Sequence, residues 1–134
     1  MLTINLDVIR LTLHILASTI WVGGMVVLAA LAGPLRRAAP EAVAPAARTF
    51  ALVAWPAFAV LLATGIWNMV VSDQKGDAYQ VTLMVKMVLA VLSGVGAALH
   101  TFAKTPALKG IWGAAALVCA MGAVLLGVSI VEAG

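Results

Sequence analysis

The chain of 134 residues has few charged side chains: eight Lys and Arg and five Asp and Glu, or 10% of the sequence. So few charges cannot cover the surface of a soluble domain of this size. Hydrophobic residues make up 64% of the chain, and the mean hydropathy is +1.14. We therefore predict an integral membrane protein with the lipid bilayer as its main partner.

Cysteine and basic runs are also scarce. The single cysteine, Cys119, excludes an intrachain disulfide and any multi-cysteine metal or iron–sulfur site, and we expect it to be a small core residue. The net charge of +3 comes without a basic run long enough to follow phosphates, so we expect no nucleic-acid partner. We find no linker or low-complexity tract, which predicts one domain over residues 1–134.

Four apolar stretches are each about 20 residues long, the length of helix that crosses a bilayer. They run from about Leu11 to Gly33, Phe50 to Val71, Val81 to Ala103 and Ile111 to Val131. Gly33-Pro34 and the following arginines end the first span. The prediction is an all-α polytopic membrane protein folded as an antiparallel bundle of four transmembrane helices.

The charges outside the spans predict the orientation. Two interhelical loops carry most of the basic residues, namely Arg36, Arg37, Arg48, Lys104 and Lys109. The opposite side carries Arg10 and Lys75 together with Asp7, Asp73, Asp77 and Glu132. By the positive-inside rule the basic loops face the cytoplasm, which places both termini outside the inner (plasma) membrane.

Polar residues inside the spans are the candidates for function, because an ionisable group in a bilayer is costly unless it faces protein or water. His14, Lys86 and His100 lie within spans, and Asn68 lies near the end of the second. At 1.5 Å per residue the two histidines are about 20 Å apart along the bundle, so they cannot share one metal ion. For His100 we expect a capping or interfacial role.

Helical periodicity gives each of these residues a face as well as a depth. His14, Ser18, Trp21 and Met25 form one stripe, and Thr64 aligns with Asn68. The fourth helix offers Gly122, Leu125 or Leu126, and Ser129. The third helix carries Lys86, Ala90, Ser93, Ala97 and His100. These stripes predict one pocket near the outer face, which is either a ligand or ion site or a satisfied polar cluster. Its residues are His14, Trp21, Asn68, Lys86 and Ser129.

Three methionines fall at a similar depth to His14: Met69, Met84 and Met87. Thioether and imidazole groups together suit Cu(I), so His14 with these methionines is a candidate metal site. Methionine is also a common filler of apolar helices, and that interpretation stays open.

The order of these motifs resembles the CopD (copper resistance D) family of membrane proteins. The resemblance rests on Leu13-His14, Trp21-Val22-Gly23-Gly24, the stretch 63–68 with Thr64-Gly65, and Leu83-Met84-Val85-Lys86. It covers the first three helices. It implies copper uptake or copper handling at the outer face of the inner membrane.

A related pattern is that of the heme-binding membrane protoporphyrinogen oxidase. His14, Trp21, Gly24 and Lys86 would match it, with His100 as a further candidate, whereas the stretch from Val26 to Gly33 is purely apolar here. This second resemblance implies heme b, with His14 as an axial ligand.

Three functions are therefore open. The first is a copper-handling or copper-transport module, and the second is a heme b-binding protein or oxidoreductase that uses the same pocket. The third is a structural or assembly subunit, working as a homo-oligomer or within a larger membrane complex. No nucleophile–base–acid set lies at one depth, so we expect no hydrolytic enzyme.

Overall fold

A computed structural model describes residues 3–73 and 76–134 of the chain. Lys75, which the sequence places outside the membrane, lies beyond the described residues. The structure is 92% helical, and the described residues contain no strand. The predicted all-α fold class is therefore confirmed.

Four long helices account for this content. The first covers Leu6–Ala38 and the second Val43–Val71, which follows a 3-10 turn at Pro40–Ala42. The third is Asp77–Phe102 and the fourth Pro106–Ala133. All four are long and apolar enough to cross a membrane, as expected for a multi-pass membrane protein.

Local side chains explain where two of these helices begin. The Asn5 carboxamide oxygen accepts a hydrogen bond from the backbone N–H of Val8 at 3.0 Å. Thr105 Oγ1 accepts from the N–H of Leu108 at 3.2 Å, and Pro106 occupies the first turn. Both side chains satisfy N–H groups that have no partner inside the helix.

The first helix continues past Pro34, where the sequence predicted the end of the span, and stops at Ala38. A proline removes one backbone hydrogen bond and its ring crowds the Cβ of the preceding residue. Gly33 has no Cβ, so this second cost is absent. Arg36 and Arg37 then lie in the last turn, where positive charge is favourable beside the exposed carbonyls.

The first helix is not regular throughout, because Thr19–Gly23 forms a π-helical turn between Leu6–Ser18 and Gly24–Ala38. A π turn accommodates one extra residue in a helix and is frequent at functional sites. It contains Trp21 and Gly23, both part of the motif that resembles the CopD family.

The chain divides into two compact units, Met1–Val71 and Ser72–Gly134. Each contains two antiparallel helices, and we call them the first hairpin (helices Leu6–Ala38 and Val43–Val71) and the second hairpin (helices Asp77–Phe102 and Pro106–Ala133).

Aromatic rings form the centre of the first hairpin. Trp21, only 2% exposed, has its ring centroid 4.3 Å from that of Phe58 and 5.3 Å from that of Trp55. Trp55 and Phe58 are themselves in edge-to-face contact at 5.8 Å. Nearer the interhelical turn, the Phe50 ring packs against Gly24, where a Cβ would collide with it. Large side chains therefore fill the space between these two helices.

Small residues form the centre of the second hairpin. A Cβ on Gly96 would lie 3.1 Å from the backbone nitrogen of Ala116 and 3.2 Å from its Cα. Ser93 is fully buried, and its hydroxyl donates to the Ala116 carbonyl oxygen at 2.8 Å. Ala116, Ala120 and Ala123 are buried on the fourth helix. Close backbone approach over small residues is a common way of packing membrane helices.

Candidate functional site

His14 is joined to the second helix by a hydrogen bond between its Nδ1 and Oγ1 of Thr64, at 2.9 Å. The bond lies in the half of the first hairpin that carries the chain's N-terminal residues and Val71, which we call its open end. Thr64 is 4% exposed. The sequence placed Thr64 on the same face as Asn68, and the structure makes it the interhelical partner of the histidine.

The bonding of Thr64 favours the tautomer of His14 that carries the proton on Nδ1. The Thr64 hydroxyl lies 2.7 Å from the carbonyl oxygen of Val60 and 3.2 Å from that of Leu61, and it donates its hydrogen to this backbone pair. Its oxygen is then an acceptor for the histidine, so Nδ1 carries the proton. In this tautomer the lone pair that can bind a metal is on Nε2.

Arg10 precedes His14 by one helical turn and is 9% exposed. Its Nη1 forms an ion pair with the Asp7 carboxylate at 2.7 Å, and its guanidinium carbon lies 5.8 Å from the centre of the Trp67 ring. The sequence places Arg10 among the charged residues outside the spans, because it precedes the first apolar run. The signal that would have found it is its spacing of four residues from His14.

Asn68 follows Thr64 by one turn. Its side-chain oxygen is shielded from solvent and has no hydrogen-bond partner among the described residues. The same is true of Nε of Arg10. The open end of the first hairpin thus gathers His14, Thr64, Arg10 and Asn68, two of which have unsatisfied polar atoms.

Trp21 lies two turns from His14 towards the interhelical turn, in the aromatic cluster with Trp55 and Phe58. The sequence predicted Trp21 as a pocket residue. The structure packs its ring against those of Trp55 and Phe58, and Trp21 is part of the π turn.

The three candidate methionines differ in exposure. Met69, in the first hairpin, is 39% exposed, and Met84, in the second, is 65% exposed. Met87 is part-buried. No group of three or more His, Cys, Asp or Glu side chains that could hold a metal ion occurs within residues 3–73 and 76–134.

Lys86 lies against the fourth helix, where a Cβ on Gly127 would be 3.1 Å from its Nζ. Gly127 therefore leaves the space that the lysine side chain occupies.

Ser129 is exposed, and its hydroxyl donates to the Leu126 carbonyl oxygen at 2.8 Å on its own helix. The fourth helix packs through Ala116, Ala120, Ala123 and Gly127, a different face from that of Ser129.

His100 joins the two helices of the second hairpin at the end near their connection. Its Nδ1 donates to the carbonyl oxygen of Lys109 at 2.7 Å. Gly113 makes this approach possible, since a Cβ there would lie 3.0 Å from the same nitrogen. Cys119 is a free, part-buried thiol.

No protein-family model matches this chain, and neither the curated proteins nor the solved structures contain a significant match.

Proposed function

We propose that the chain is a multi-pass membrane protein that handles copper, of the CopD type, with His14 as its imidazole ligand. The hydrogen bond from His14 to Thr64 is the observation that carries the proposal. A metal-binding histidine needs its second ring nitrogen held by a partner, which fixes both the tautomer and the ring orientation. Thr64 does this for His14 and puts the lone pair on Nε2.

The charge balance around His14 is compatible with a cation. Arg10 lies one turn away, and a lone guanidinium there would repel a copper ion. The Asp7 carboxylate is paired with that guanidinium at 2.7 Å and offsets its charge. The proposed soft ligand is the thioether of Met69, the candidate methionine of the first hairpin, which suits Cu(I).

The proposed location is the inner membrane, with both termini and the open end of the first hairpin outside. The basic residues of the two interhelical turns support this orientation through the positive-inside rule. His14 would then receive copper from the outer side.

The test uses the detergent-solubilised full chain, loaded with Cu(I) under reducing conditions. Bound copper is measured by elemental analysis, and the absorption spectrum is recorded on the same sample. We expect stoichiometric copper in the natural chain and its loss in His14→Ala. His100→Ala is the matched control and should keep its copper, because His100 belongs to the second hairpin, where its Nδ1 donates to the carbonyl oxygen of Lys109.

Two results would contradict the proposal. One is equal copper in the natural chain and in His14→Ala. The other is a Soret band that disappears in His14→Ala, which would assign the histidine to heme b. Met69→Leu follows, read as a loss of Cu(I) affinity with helix content as the control for folding.

A further inference from the structure

Within residues 3–73 and 76–134, Arg10 is the one charged residue whose side chain is buried. The other arginines are exposed. Long charged side chains are almost never buried unless their hydrogen-bonding groups are paired. Arg10 departs from this rule, and it is not a ligand in the copper proposal.

The guanidinium of Arg10 is only partly satisfied. Its five N–H groups form a planar fork, and Asp7 binds it at Nη1. Nε is shielded from solvent and has no partner among the described residues. Nε and Nη2 together form the edge of a guanidinium that binds carboxylate or phosphate groups bidentately, and Asp7 leaves this edge unused.

An unsatisfied acceptor lies across from this donor. Arg10 is one turn before His14 and Asn68 is one turn after Thr64, so the bonded His14–Thr64 pair places them at the same level of two antiparallel helices. Trp67, next to Asn68, lies beside the guanidinium, with its ring centre 5.8 Å from the guanidinium carbon. The shielded oxygen of Asn68 nevertheless has no hydrogen-bond partner within residues 3–73 and 76–134. An unsatisfied donor and an unsatisfied acceptor therefore lie at one level of the two antiparallel helices.

We propose that Arg10 and Asn68 bind a singly protonated phosphate group. Such a group offers both an anionic oxygen and a hydroxyl. The P–O⁻ oxygens accept from Nε–H and Nη2–H of Arg10, and the P–OH donates to the side-chain oxygen of Asn68. Asp7 holds the opposite side of the guanidinium. A phosphodiester or a sulfate has no hydroxyl to donate at neutral pH, so the site discriminates against both.

Two sources can supply this chemistry. Arg10 directly precedes the apolar run that starts at Leu11, which is the depth of lipid headgroups. One source is the phosphomonoester headgroup of phosphatidic acid, and the other is inorganic phosphate from solution.

The experiment measures binding to the detergent-solubilised full chain just below the second pKa of a phosphomonoester, about 6. Native mass spectrometry compares phosphatidic acid with phosphatidylglycerol, whose phosphate is a diester. Calorimetry compares inorganic phosphate with sulfate. We expect binding of phosphatidic acid, of inorganic phosphate or of both, and at least about tenfold weaker binding of the two comparison ligands.

Variants then identify the residues. Arg10→Lys keeps the charge but loses the planar fork, and we expect it to weaken phosphate binding about tenfold. Asn68→Leu keeps the size, and we expect it to remove the preference over sulfate. Arg48→Lys, at an exposed arginine of the same hairpin, is the matched control and should change nothing.

Binding of phosphatidic acid alone identifies a lipid site, and binding of inorganic phosphate identifies a site open to solution. The proposal is overturned if no phosphomonoester binds, if phosphatidylglycerol and sulfate bind equally well, or if Arg10→Lys binds like the natural chain. The ligand comparison on the natural chain decides the matter even if a variant does not fold. Copper loading in His14→Ala is a separate readout, so this proposal and the copper proposal can fail independently.

Discussion

The two hairpins have the same architecture and opposite interfaces. In the first, rings and polar side chains lie between the helices: Trp21 against Trp55 and Phe58, and His14 against Thr64. In the second, Gly96 lets the backbone of the third helix approach that of Ala116. Helix pairs in a bilayer can thus be held by large interlocking side chains or by backbone proximity.

The two helix interfaces are suited to different tasks, namely holding helices together and binding a ligand. Close backbone packing leaves no room between helices for a ligand, so the interface of the second hairpin is suited to holding its helices together. The first hairpin keeps its helices apart with aromatic rings, and its open end has unsatisfied polar atoms at Arg10 and Asn68. Chemistry is therefore expected in the first hairpin, and substitutions should affect the two hairpins differently.

Trp21→Ala should have the largest effect on stability. It removes the ring that contacts both Trp55 and Phe58, and we expect a loss of about 3 kcal/mol in the free energy of unfolding. Denaturant titration in mixed micelles measures it. Trp112→Ala is the control, because Trp112 is a part-buried tryptophan of the second hairpin and does not belong to the cluster of Trp21, Trp55 and Phe58. Its loss of unfolding free energy should be much smaller. Equal losses would show that the aromatic cluster does not hold the first hairpin together.

Gly96→Ala should follow, with a loss of about 2 kcal/mol, because the new Cβ meets backbone atoms that cannot move alone. Gly110→Ala is the matched control in the same hairpin, since a Cβ there has open space. Gly24→Ala extends the test to the first hairpin, where the new Cβ meets the end of the Phe50 ring. A ring can swing away, so Gly24→Ala should cost less than Gly96→Ala. The reverse order would contradict the assignment of backbone packing to the second hairpin.

Thr64→Val should cost about 1 kcal/mol of stability and also weaken copper binding by about tenfold. The valine has the shape of threonine but cannot accept from Nδ1 of His14, so the tautomer is no longer fixed. The affinity for Cu(I) and the unfolding curve are measured on one preparation. A stability loss with unchanged copper affinity would separate Thr64 from the metal site.

Ser93→Ala should have the smallest effect, about 0.6 kcal/mol, since interhelical hydrogen bonds in membranes are individually weak. Copper binding should not change, because Ser93 belongs to the second hairpin. Ser93→Ala and Thr64→Val each remove one hydroxyl that forms an interhelical hydrogen bond. Only Thr64→Val, in the first hairpin, should alter the affinity for Cu(I). A copper defect in Ser93→Ala would break the division of tasks.

Hydropathy alone predicted the number of helices, because bilayer thickness fixes their length. It also predicted the packing face of the third helix, where Lys86, Ser93 and His100 contrast with apolar neighbours. The contact face of the fourth helix did not follow from sequence. Nearly every position of that helix is apolar, so periodicity gives no contrast between buried Ala116 and exposed Ser129.

The candidate site was predicted in part. A histidine in an apolar span is conspicuous, and the stripe that aligns Thr64 with Asn68 predicted which face of the second helix meets it. Arg10 was missed because a hydropathy window treats a charge before an apolar run as surface. The π turn was missed because its hydrogen-bond pattern depends on packing of Trp21 against another helix, which no local spacing encodes.

The π turn also has a consequence for how the first helix can vary. Each residue in an α-helix adds about 100° of rotation, and the wider turn at Thr19–Gly23 absorbs one residue more than a regular helix would. Deleting one residue there would restore regular winding and keep Arg10 and His14 aligned with Thr64. Regular winding of the undeleted segment would instead rotate both residues by about 100° while Gly24–Ala38 stayed in place. The alignment of the histidine with its partner therefore depends on the π turn, which takes up one residue that a regular helix would not.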